Sequence, residues 1–502
     1  MTGGGAPPDW EFCGQEADPA TDPIGCRGIR LDDRTACLAH LPPHEQEQYL
    51  ARLAREPSID HPNIDHRGTT FTEELLERLL QAVQDSTGCS VFGTAQFSGA
   101  TFSGKASFTK TTFSGDALFH GATFSTQEFG PLACKGQLDL SDAVFRGPVT
   151  IEAAARSLKC WRTRWESAAG MRLRYAKVDL TDALPEVSLS ITSRPTELEG
   201  VEEEVLKALR LEYAKDIKVD EKRLDEGGRP LVRIRSLSGV DAGRLALNDV
   251  DLAPCRFTGA VHLDQLSLGH VTFEPSPKGV RGWRWRPVYW RLRPTLIEEH
   301  YWRASKPSTG WKPAPPGGTI AKPSGLAPLY RQLRKALEDA KNQPDSAGFY
   351  YGEMEMRRLT HHRPLFERAL LWVYWKVSGY GMSALRALVS LLLAIGLTVV
   401  LLMWVGLPAT PRTQGPVVTT GQNFVATTVN PGPGGAAPRP IDEWFTPGRA
   451  EKAGRTALNS VLFRSAGQGL TVPGTYIEMT CRLVEPVLLA LFLLAVRGRV
   501  KR

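Results

Sequence analysis

Residues 95–127 read AQFSGATFSGK, ASFTKTTFSGD and ALFHGATFSTQ, three near-copies of an eleven-residue unit. The phenylalanines in this stretch follow one another at intervals of five, six, five, six and five residues, at Phe97, Phe102, Phe108, Phe113, Phe119 and Phe124. This spacing fits neither the two-residue period of a strand nor one face of an α-helix. It is typical of a four-sided solenoid, in which each side directs one bulky residue inward.

The stretch resembles the pentapeptide-repeat family, whose members form a right-handed quadrilateral β-helix with a central Leu or Phe in each repeat and a small residue two positions earlier. That small position is held by Ala95, Ala100, Ala106, Thr111, Ala117 and Ala122. The resemblance implies a mainly β fold with coils over residues 91–184. Weaker repeats continue at Leu140, Phe145, Ile151, Cys160, Trp165, Tyr175 and Leu180. The alternative is an ordinary β-sandwich with Phe-rich strands.

Helical segments interrupt and follow these coils. Residues 185–232 contain EGVEEEVLKALRLEYAKD, whose apolar residues share one helical face, and this predicts a helical insertion against the solenoid wall. Further coils are expected over residues 233–276, where Leu and Phe restore the spacing at Leu247, Leu252, Phe257, Leu263, Leu268 and Phe273. Within residues 71–90, Thr72 is a candidate N-cap for a helix that would close the open end of the β-helix.

Residues 277–364 are predicted to be a linker and a helical coupler. A helix pair split at residues 342–346 resembles the linker that joins pentapeptide repeats to membrane segments in related bacterial proteins. Glu353 and Glu355 in the second helix could be mistaken for paired catalytic carboxylates. Their two-residue spacing directs them to different sides of the helix, so we expect ion pairs with nearby arginines.

The N-terminal segment, residues 1–70, gathers Cys13, Cys26, Cys37 and His40, the last two as C-x2-H in TACLAHL. Thiolate and imidazole are the ligands that tetrahedral Zn²⁺ prefers, and three Cys with one His would make a closed structural site. The pattern therefore predicts a structural zinc site that staples a segment poor in apolar residues. The alternative is ordinary buried cysteines with an exposed histidine.

Charge and composition restrict the compartment and the partners. No basic region followed by an apolar run opens the chain, so no secretory signal is expected and the soluble part should be cytoplasmic, where its eight cysteines would not form disulfides. The net charge of +7 is modest for 502 residues, and the positive residues of the repeats are scattered rather than striped. We therefore expect no nucleic-acid partner.

Two apolar segments predict a membrane module. Residues 365–407 combine an aromatic-rich interfacial helix with ALVSLLLAIGLTVVLLMWVGL, which is long enough to cross a bilayer. A second span follows within residues 454–502, around residues 476–496, if its helix includes Glu478, Arg482 and Glu485, whose spacing allows them to pair. The alternative for this segment is a re-entrant or interfacial helix. Basic flanks place both termini in the cytoplasm and the Pro/Gly-rich loop, residues 408–453, outside the plasma membrane.

The segment TALNSVLFRSAGQGLTVP resembles the filter region of the two-helix pore-loop ion-channel family, whose filter reads Thr-x-Gly-Tyr-Gly-Asp with a proline shortly after. Ser465 stands at the threonine, Gly467 and Gly469 at the glycines, Pro473 at the proline, and Glu485 at the glutamate that opens the inner helix. The departures imply a degenerate filter. Gln468 replaces the aromatic residue, Leu470 replaces the acid, and Arg464 puts a positive charge where a cation would pass.

These features predict a membrane-associated pentapeptide-repeat protein of bacterial, actinomycete-like type. We expect a cytoplasmic interaction scaffold or sensor that binds an unidentified protein partner through the β-helix and is anchored in the lipid bilayer. The alternative is an oligomeric pore, a tetramer by analogy with the channel family, with a degenerate filter gated by the repeats. The sequence contains no recognised enzyme motif, so an enzyme is not expected.

Overall fold

The computed structural model describes residues 7–32, 34–55, 61–125, 128–196, 198, 203–216, 231–277, 293–307, 310–361, 364–407, 444–462 and 470–500. The chain divides into two compact units, Met1–Thr360 and His361–Arg502, which are described in turn.

The first unit is built on a parallel β-solenoid. Its strands are β1 (Ile64–Asp65), β2 (Thr70–Phe71), β3 (Ser90–Phe92), β4 (Ala95–Gln96), β5 (Thr101–Phe102), β6 (Thr111–Phe113), β7 (Ala117–Leu118), β8 (Thr123–Phe124), β9 (Glu128–Asp139), β10 (Val144–Phe145), β11 (Val149–Lys159), β12 (Arg164–Trp165), β13 (Ala169–Arg174), β14 (Lys177–Asp179), β15 (Leu184–Pro185), β16 (Leu189–Ser193), β17 (Val232–Ser236), β18 (Leu245–Asn248), β19 (Val250–Asp251), β20 (Ser267–Leu268) and β21 (Val271–Thr272).

The strands stack coil on coil. One continuous row runs β1-β4-β7-β9-β11-β13-β16-β18-β20, and a separate wall runs β15-β12-β10-β8-β5-β2. Neighbouring strands pair in parallel, as Thr101 with Thr123 and Phe102 with Phe124 show. A β-solenoid with inserted helices, as predicted from the repeats, is confirmed.

The phenylalanine register is confirmed as well. The six phenylalanines of residues 95–127 are at most 1% exposed. Equivalent rings in successive coils lie one above another: the centroids of Phe102 and Phe124 are 4.9 Å apart with the rings 3° from parallel, and those of Phe124 and Phe145 are 4.7 Å apart. These distances match the separation of about 4.8 Å between hydrogen-bonded strands. The side-chain columns therefore follow directly from the backbone ladder.

The solenoid begins earlier than residue 91. Strand β1 pairs with β4, and β2 pairs with β5, so the first coil starts at Ile64. Helix α1 (Pro43–Arg55) precedes this coil, and α2 (Glu73–Ala82) takes the place of one of its sides. As predicted, Thr72 caps α2 by accepting a hydrogen bond from the Leu75 N–H.

The insertion is shorter than residues 185–232, because β16 lies within that range and pairs with both β13 and β18. Its helix α3 (Glu203–Asp216) contacts β9 and β11, which supports the predicted packing on the solenoid wall. The prediction for Tyr175 is wrong. Tyr175 is buried outside the solenoid interior, in a small cluster with Leu198, Val205 and Leu209, so its ring attaches α3 to the wall.

Three helices close the other end of the solenoid: α4 (Ile297–Ala304), α5 (Pro323–Asp339) and α6 (Gln343–Leu359). A short antiparallel pair, β22 (Glu274–Pro275) with β23 (Pro294–Thr295), leads into them. The apolar faces of α5 and α6 belong to the same core as the repeats; Phe349, for example, meets Phe273 at 4.7 Å. The expected coupler is therefore a cap on the last coils.

The second unit contains α7 (Leu365–Ser378), α8 (Ala384–Leu401), which continues as a π-helical turn (Leu402–Gly406), α9 (Pro447–Leu462) and α10 (Val472–Val500). Within the described part of the chain, two helices are long and apolar enough to cross a membrane, Ala384–Gly406 and Val472–Arg497. They pack against each other, and α9 contacts both.

Candidate metal centre

The cysteines at the N-terminus lie on two chain segments that run side by side. The N–H of Cys13 donates to the carbonyl of Gly28 at 2.8 Å, and the N–H of Cys26 donates to the carbonyl of Gln15 at 2.8 Å. An antiparallel bridge between Phe12 and Ile29 continues the pairing. The two thiols, thirteen residues apart in sequence, are brought together by this backbone pairing.

The other two residues share one turn of 3-10 helix. Cys37 is the N-cap of the turn Leu38–His40, and the His40 N–H donates to the Cys37 carbonyl at 3.0 Å. Residues three apart in a 3-10 turn lie on the same side, so the C-x2-H spacing directs the thiol and the imidazole to one point.

The four ligand atoms lie within 4.8 Å of one another. Sγ of Cys26 is 3.7 Å from Sγ of Cys37, and Nδ1 of His40 is 3.4 Å from Sγ of Cys37 and 3.7 Å from Sγ of Cys13. Bonds of about 2.3 Å to sulfur and about 2.0 Å to nitrogen give tetrahedral edges of about 3.8 Å between sulfurs and about 3.5 Å between sulfur and nitrogen. These three distances between ligand atoms therefore fit a single tetrahedral ion. Binding would draw the most distant pair of ligand atoms closer together.

Gly28 makes room for this arrangement. A Cβ atom at this position would lie 2.7 Å from Cβ of Cys37 and 2.8 Å from its Sγ. Both are closer than carbon and sulfur atoms can approach without displacement, and the Cys37 side chain is fully buried. Glycine at position 28 is therefore a steric requirement of the cluster.

The electrostatics also suit a cation. Sγ of Cys37 lowers the pKa of the Cys26 thiol, while the same contact and burial raise the pKa of Cys37, because the two sulfurs share a proton. The outer nitrogen of His40, Nε2, lies 3.8 Å from a carboxylate oxygen of Glu16. A carboxylate on the far side of a ligating imidazole is a common orienting partner.

The cluster lies against the first coil of the solenoid. The Ile29 N–H donates to the Arg67 carbonyl at 2.8 Å, and the Arg67 guanidinium carbon lies 5.0 Å from the Trp10 ring centroid. A Cβ atom on Gly68, which has φ of +65°, would meet the Arg27 carbonyl oxygen at 2.2 Å. Residues 7–32 and 34–40, which carry the candidate metal ligands and form the metal-ligand segment, are thus a lid on the N-terminal edge of the repeats.

Comparison with known proteins agrees with the repeat pattern. Residues 87–127 match a family model described as pentapeptide repeats (9 copies). This part of the chain is a run of pentapeptide repeats. Searches of curated proteins and of solved structures gave no match. The family match covers the Phe-rich coils and not the metal-ligand segment or the apolar helices.

The pore-loop-like residues are only partly placed. Arg464, Ser465, Gly467, Gln468 and Gly469 lie outside the described residues. Pro473 is in the first turn of α10, where the N–H group that proline lacks would have no partner within the helix.

Glu485 lies further along α10, and the predicted pairing along this helix is confirmed for Glu478 with Arg482 but is wrong for Glu485. Arg482 bonds to Glu478 at 2.8 Å, whereas Glu485 bonds to Thr398 of α8 at 2.8 Å. Thr398 was not predicted as its partner. The sequence did contain a signal for this contact. Glu485 and Thr398 are each a polar side chain within a long apolar segment, and such side chains tend to pair.

The ion pairs predicted for Glu353 and Glu355 are confirmed. Glu353 contacts Arg331 at 3.0 Å and Arg357 at 2.6 Å, and Glu355 contacts Arg358 at 2.8 Å. Glu353 therefore links α6 to α5 through Arg331, and Glu355 links α6 to α4 through Arg303, 3.4 Å away.

Proposed function

We propose that the protein is a membrane-anchored, non-enzymatic scaffold or sensor whose solenoid binds a protein partner in the cytoplasm. The observation that carries the proposal is the exposure of large apolar side chains on helices of membrane length. Leu393 on α8 is 69% exposed and Leu483 on α10 is 74% exposed. Water would penalise such surfaces by about 25 cal/mol per Å², whereas lipid would not. Two spans with both termini in the cytoplasm fit the basic flanks.

The solenoid supports the scaffold part of the proposal. Its interior is filled by stacked side chains, and helices or the N-terminal lid lie against both ends, so the parts of its walls that α3 does not cover are the surface left for a partner. Trp161, in the turn between β11 and β12, is 39% exposed, and Lys159 Nζ lies 4.3 Å from its ring centroid. Exposed aromatic and cationic side chains are typical of recognition surfaces.

Zinc is the metal that the N-terminal cluster suits best. Three thiolates and one imidazole fill four tetrahedral positions with no place for water, which is a structural rather than a catalytic arrangement. Held by Cys13, Cys26, Cys37 and His40, the ion would link the paired segments to the 3-10 turn and fix the lid on the first coil.

Membrane extraction of the full chain tests the anchor. We expect the wild type to stay in the membrane pellet after alkaline carbonate washing. Leu393→Arg combined with Leu483→Arg places charge on both exposed apolar faces and should move the protein into the supernatant. The matched control is Leu184→Arg, because Leu184 is 49% exposed on the solenoid. Pellet retention of the double variant, or release of the wild type, would contradict the anchor.

An oligomeric pore is the second candidate, and the packing of α9 against both long helices favours it. The order of outer helix, short amphipathic helix and inner helix is that of the pore-loop family. A pore needs subunits arranged around an axis. A tetramer in detergent with measurable current in bilayers would support this candidate, and a monomer without current would leave the scaffold.

A further inference from the structure

Glu485 lies within α10, the second apolar helix, and is 1% exposed. Its Oε1 is 2.8 Å from Oγ1 of Thr398 on α8, whereas its buried Oε2 has no hydrogen-bond partner among the described residues. Arg482, three residues earlier, bonds to Glu478 instead. The carboxyl group is therefore enclosed between two apolar helices with a single neutral side chain bonded to it.

The hydrogen bonds of Thr398 are compatible with a protonated carboxyl group at Glu485. Oγ1 of Thr398 lies 2.9 Å from the Ala394 carbonyl, 2.8 Å from Oε1 of Glu485 and 3.0 Å from Sγ of Cys481. A hydroxyl group has one proton to donate and two lone pairs to accept with, and a carbonyl can only accept. When Thr398 donates to Ala394, the other two contacts are satisfied only if Glu485 and Cys481 each donate. A carboxylate has no proton for this.

We infer that Glu485 is a proton-binding site between α8 and α10, held as a neutral carboxylic acid at pH 7 that donates to Thr398. Among the described residues, a carboxylate at this position would have no cation beside it, and its burial would be costly in an apolar environment. The inference rests on the contact between two helices of one chain. It therefore holds for a scaffold or a pore and is independent of the zinc site.

Among the described residues, no charged side chain of the surrounding helices contacts Glu485. Arg449 of α9 donates to the Met403 and Leu407 carbonyls, and Glu451 pairs with Arg455 of the same helix. Arg386 in the first turn of α8 lies over the Trp375 ring. The remaining charged side chains of α7 and α9 are Glu367, Arg368, Lys376 and Lys452. Cys481 is the titratable group that shares Thr398 with Glu485.

Infrared difference spectroscopy of the full chain in lipid bilayers at pH 7 tests this inference. We expect the wild type to show the carbonyl band of a protonated carboxyl group, which shifts when D₂O replaces water, and Glu485→Gln to lose it. Glutamine keeps the shape and an N–H donor for Thr398, so the variant should fold. The matched control is Glu478→Gln, which removes the ion-paired carboxylate of the same helix and should leave the band unchanged.

A band that survives Glu485→Gln, with loss of carboxylate absorption instead, would overturn the inference. If Glu485→Gln does not fold, Thr398→Val provides the second test. Removal of the acceptor should move the protonated-carboxyl band to higher frequency, as expected for an acid without a hydrogen bond. An unmoved band in this variant would show that Glu485 does not donate to Thr398, and would also overturn the inference.

Discussion

Glu298 on α4 accepts a hydrogen bond from the backbone N–H of Phe257 at 2.5 Å, and the same oxygen, Oε1, accepts from the Thr258 N–H at 3.1 Å. In earlier coils the N–H group equivalent to that of Phe257 donates to the next coil; the Phe119 N–H, for example, donates to the Asp139 carbonyl. Near the last coil α4 supplies a side-chain oxygen in place of a strand. One buried carboxyl group thus satisfies backbone donors at the edge where the ladder ends.

Replacement of Glu298 tests this edge contact. Glu298→Ala leaves the Phe257 and Thr258 donors without their acceptor, and we expect a loss of about 2–4 kcal/mol in the free energy of unfolding. Urea titration of the full chain in detergent, followed by circular dichroism, measures it. The control is Glu338→Ala, which removes a partly exposed carboxylate from the same cap and should cost less than about 1 kcal/mol. Equal losses would contradict the edge role.

The neighbouring Glu299 predicts a pH dependence. Burial opposes its ionisation, but the guanidinium groups of Arg293 and Arg303, 2.5 and 2.6 Å away, hold its pKa at about 2. A depressed pKa adds stability above the unfolded value of about 4.3, and this contribution is lost as pH falls toward 2. Glu299→Gln should therefore cost about 3–5 kcal/mol at pH 7 and clearly less at pH 3. A difference between variant and wild type that does not change with pH would refute this.

The aromatic column predicts a large cost for truncation. Phe102→Ala removes a ring stacked between Phe71 and Phe124 and should destabilise the first unit by about 3–5 kcal/mol. Phe102→Asp should prevent the coils from forming, because it buries an unpaired carboxylate. Leu184→Ala is the control, since Leu184 is exposed. Wild-type melting of both Phe102 variants would show that the register is wrong.

Metal analysis tests the N-terminal cluster. The full chain, purified under reducing, chelator-free conditions, should carry about one zinc per chain. Cys37→Ser should lose the metal by removing a ligand, and Gly28→Ala should weaken binding by pushing against the Cys37 sulfur. Cys89→Ser, a buried cysteine outside the cluster, should keep it. Zinc near zero in the wild type, or retained in Cys37→Ser, would exclude the site.

Labelling of intact cells tests the topology. A cysteine introduced at Thr420, in the predicted outer loop, should react with a membrane-impermeant maleimide. A cysteine at Ser324, exposed at the start of α5, should react only after the cells are opened. Ser346 would be a poor probe because it is buried. Reaction at both positions in intact cells, or at neither after lysis, is incompatible with two spans and cytoplasmic ends.

The parts that were predictable from sequence are those set by local spacing. Phe97 to Phe124 keep a regular period, so the register could be assigned without knowledge of the fold. The start of the solenoid could not, because α2 separates Phe71 from its column partner Phe102 and hides the period. Tyr175 keeps the spacing of five, yet it lies outside the solenoid interior. It is buried there because it packs against α3, which is distant in sequence.

The candidate metal ligands and Glu485 show the same contrast between contacts set by local spacing and contacts between distant segments. Cys37 and His40 are three residues apart, and their approach follows from one turn, whereas the approach of Cys13 to Cys26 depends on backbone pairing that composition does not reveal. Glu485 was expected to bond along its own helix. Its actual partner, Thr398, is 87 residues away in sequence, and only the packing of α8 on α10 brings the two together.

Because equivalent side chains stack in successive coils, the solenoid rod can lengthen or shorten only by whole coils. Phe97 lies below Phe119, twenty-two residues later, and Val144 pairs with Arg164, twenty residues later, so each step requires about the same length of chain. Insertion of one such segment would extend the rod by about 4.8 Å and leave every existing column in register. The two end structures would still fit, because each contacts only the coils next to it. Longer or shorter solenoids could thus arise by duplication or deletion of single coils, with both end structures unchanged.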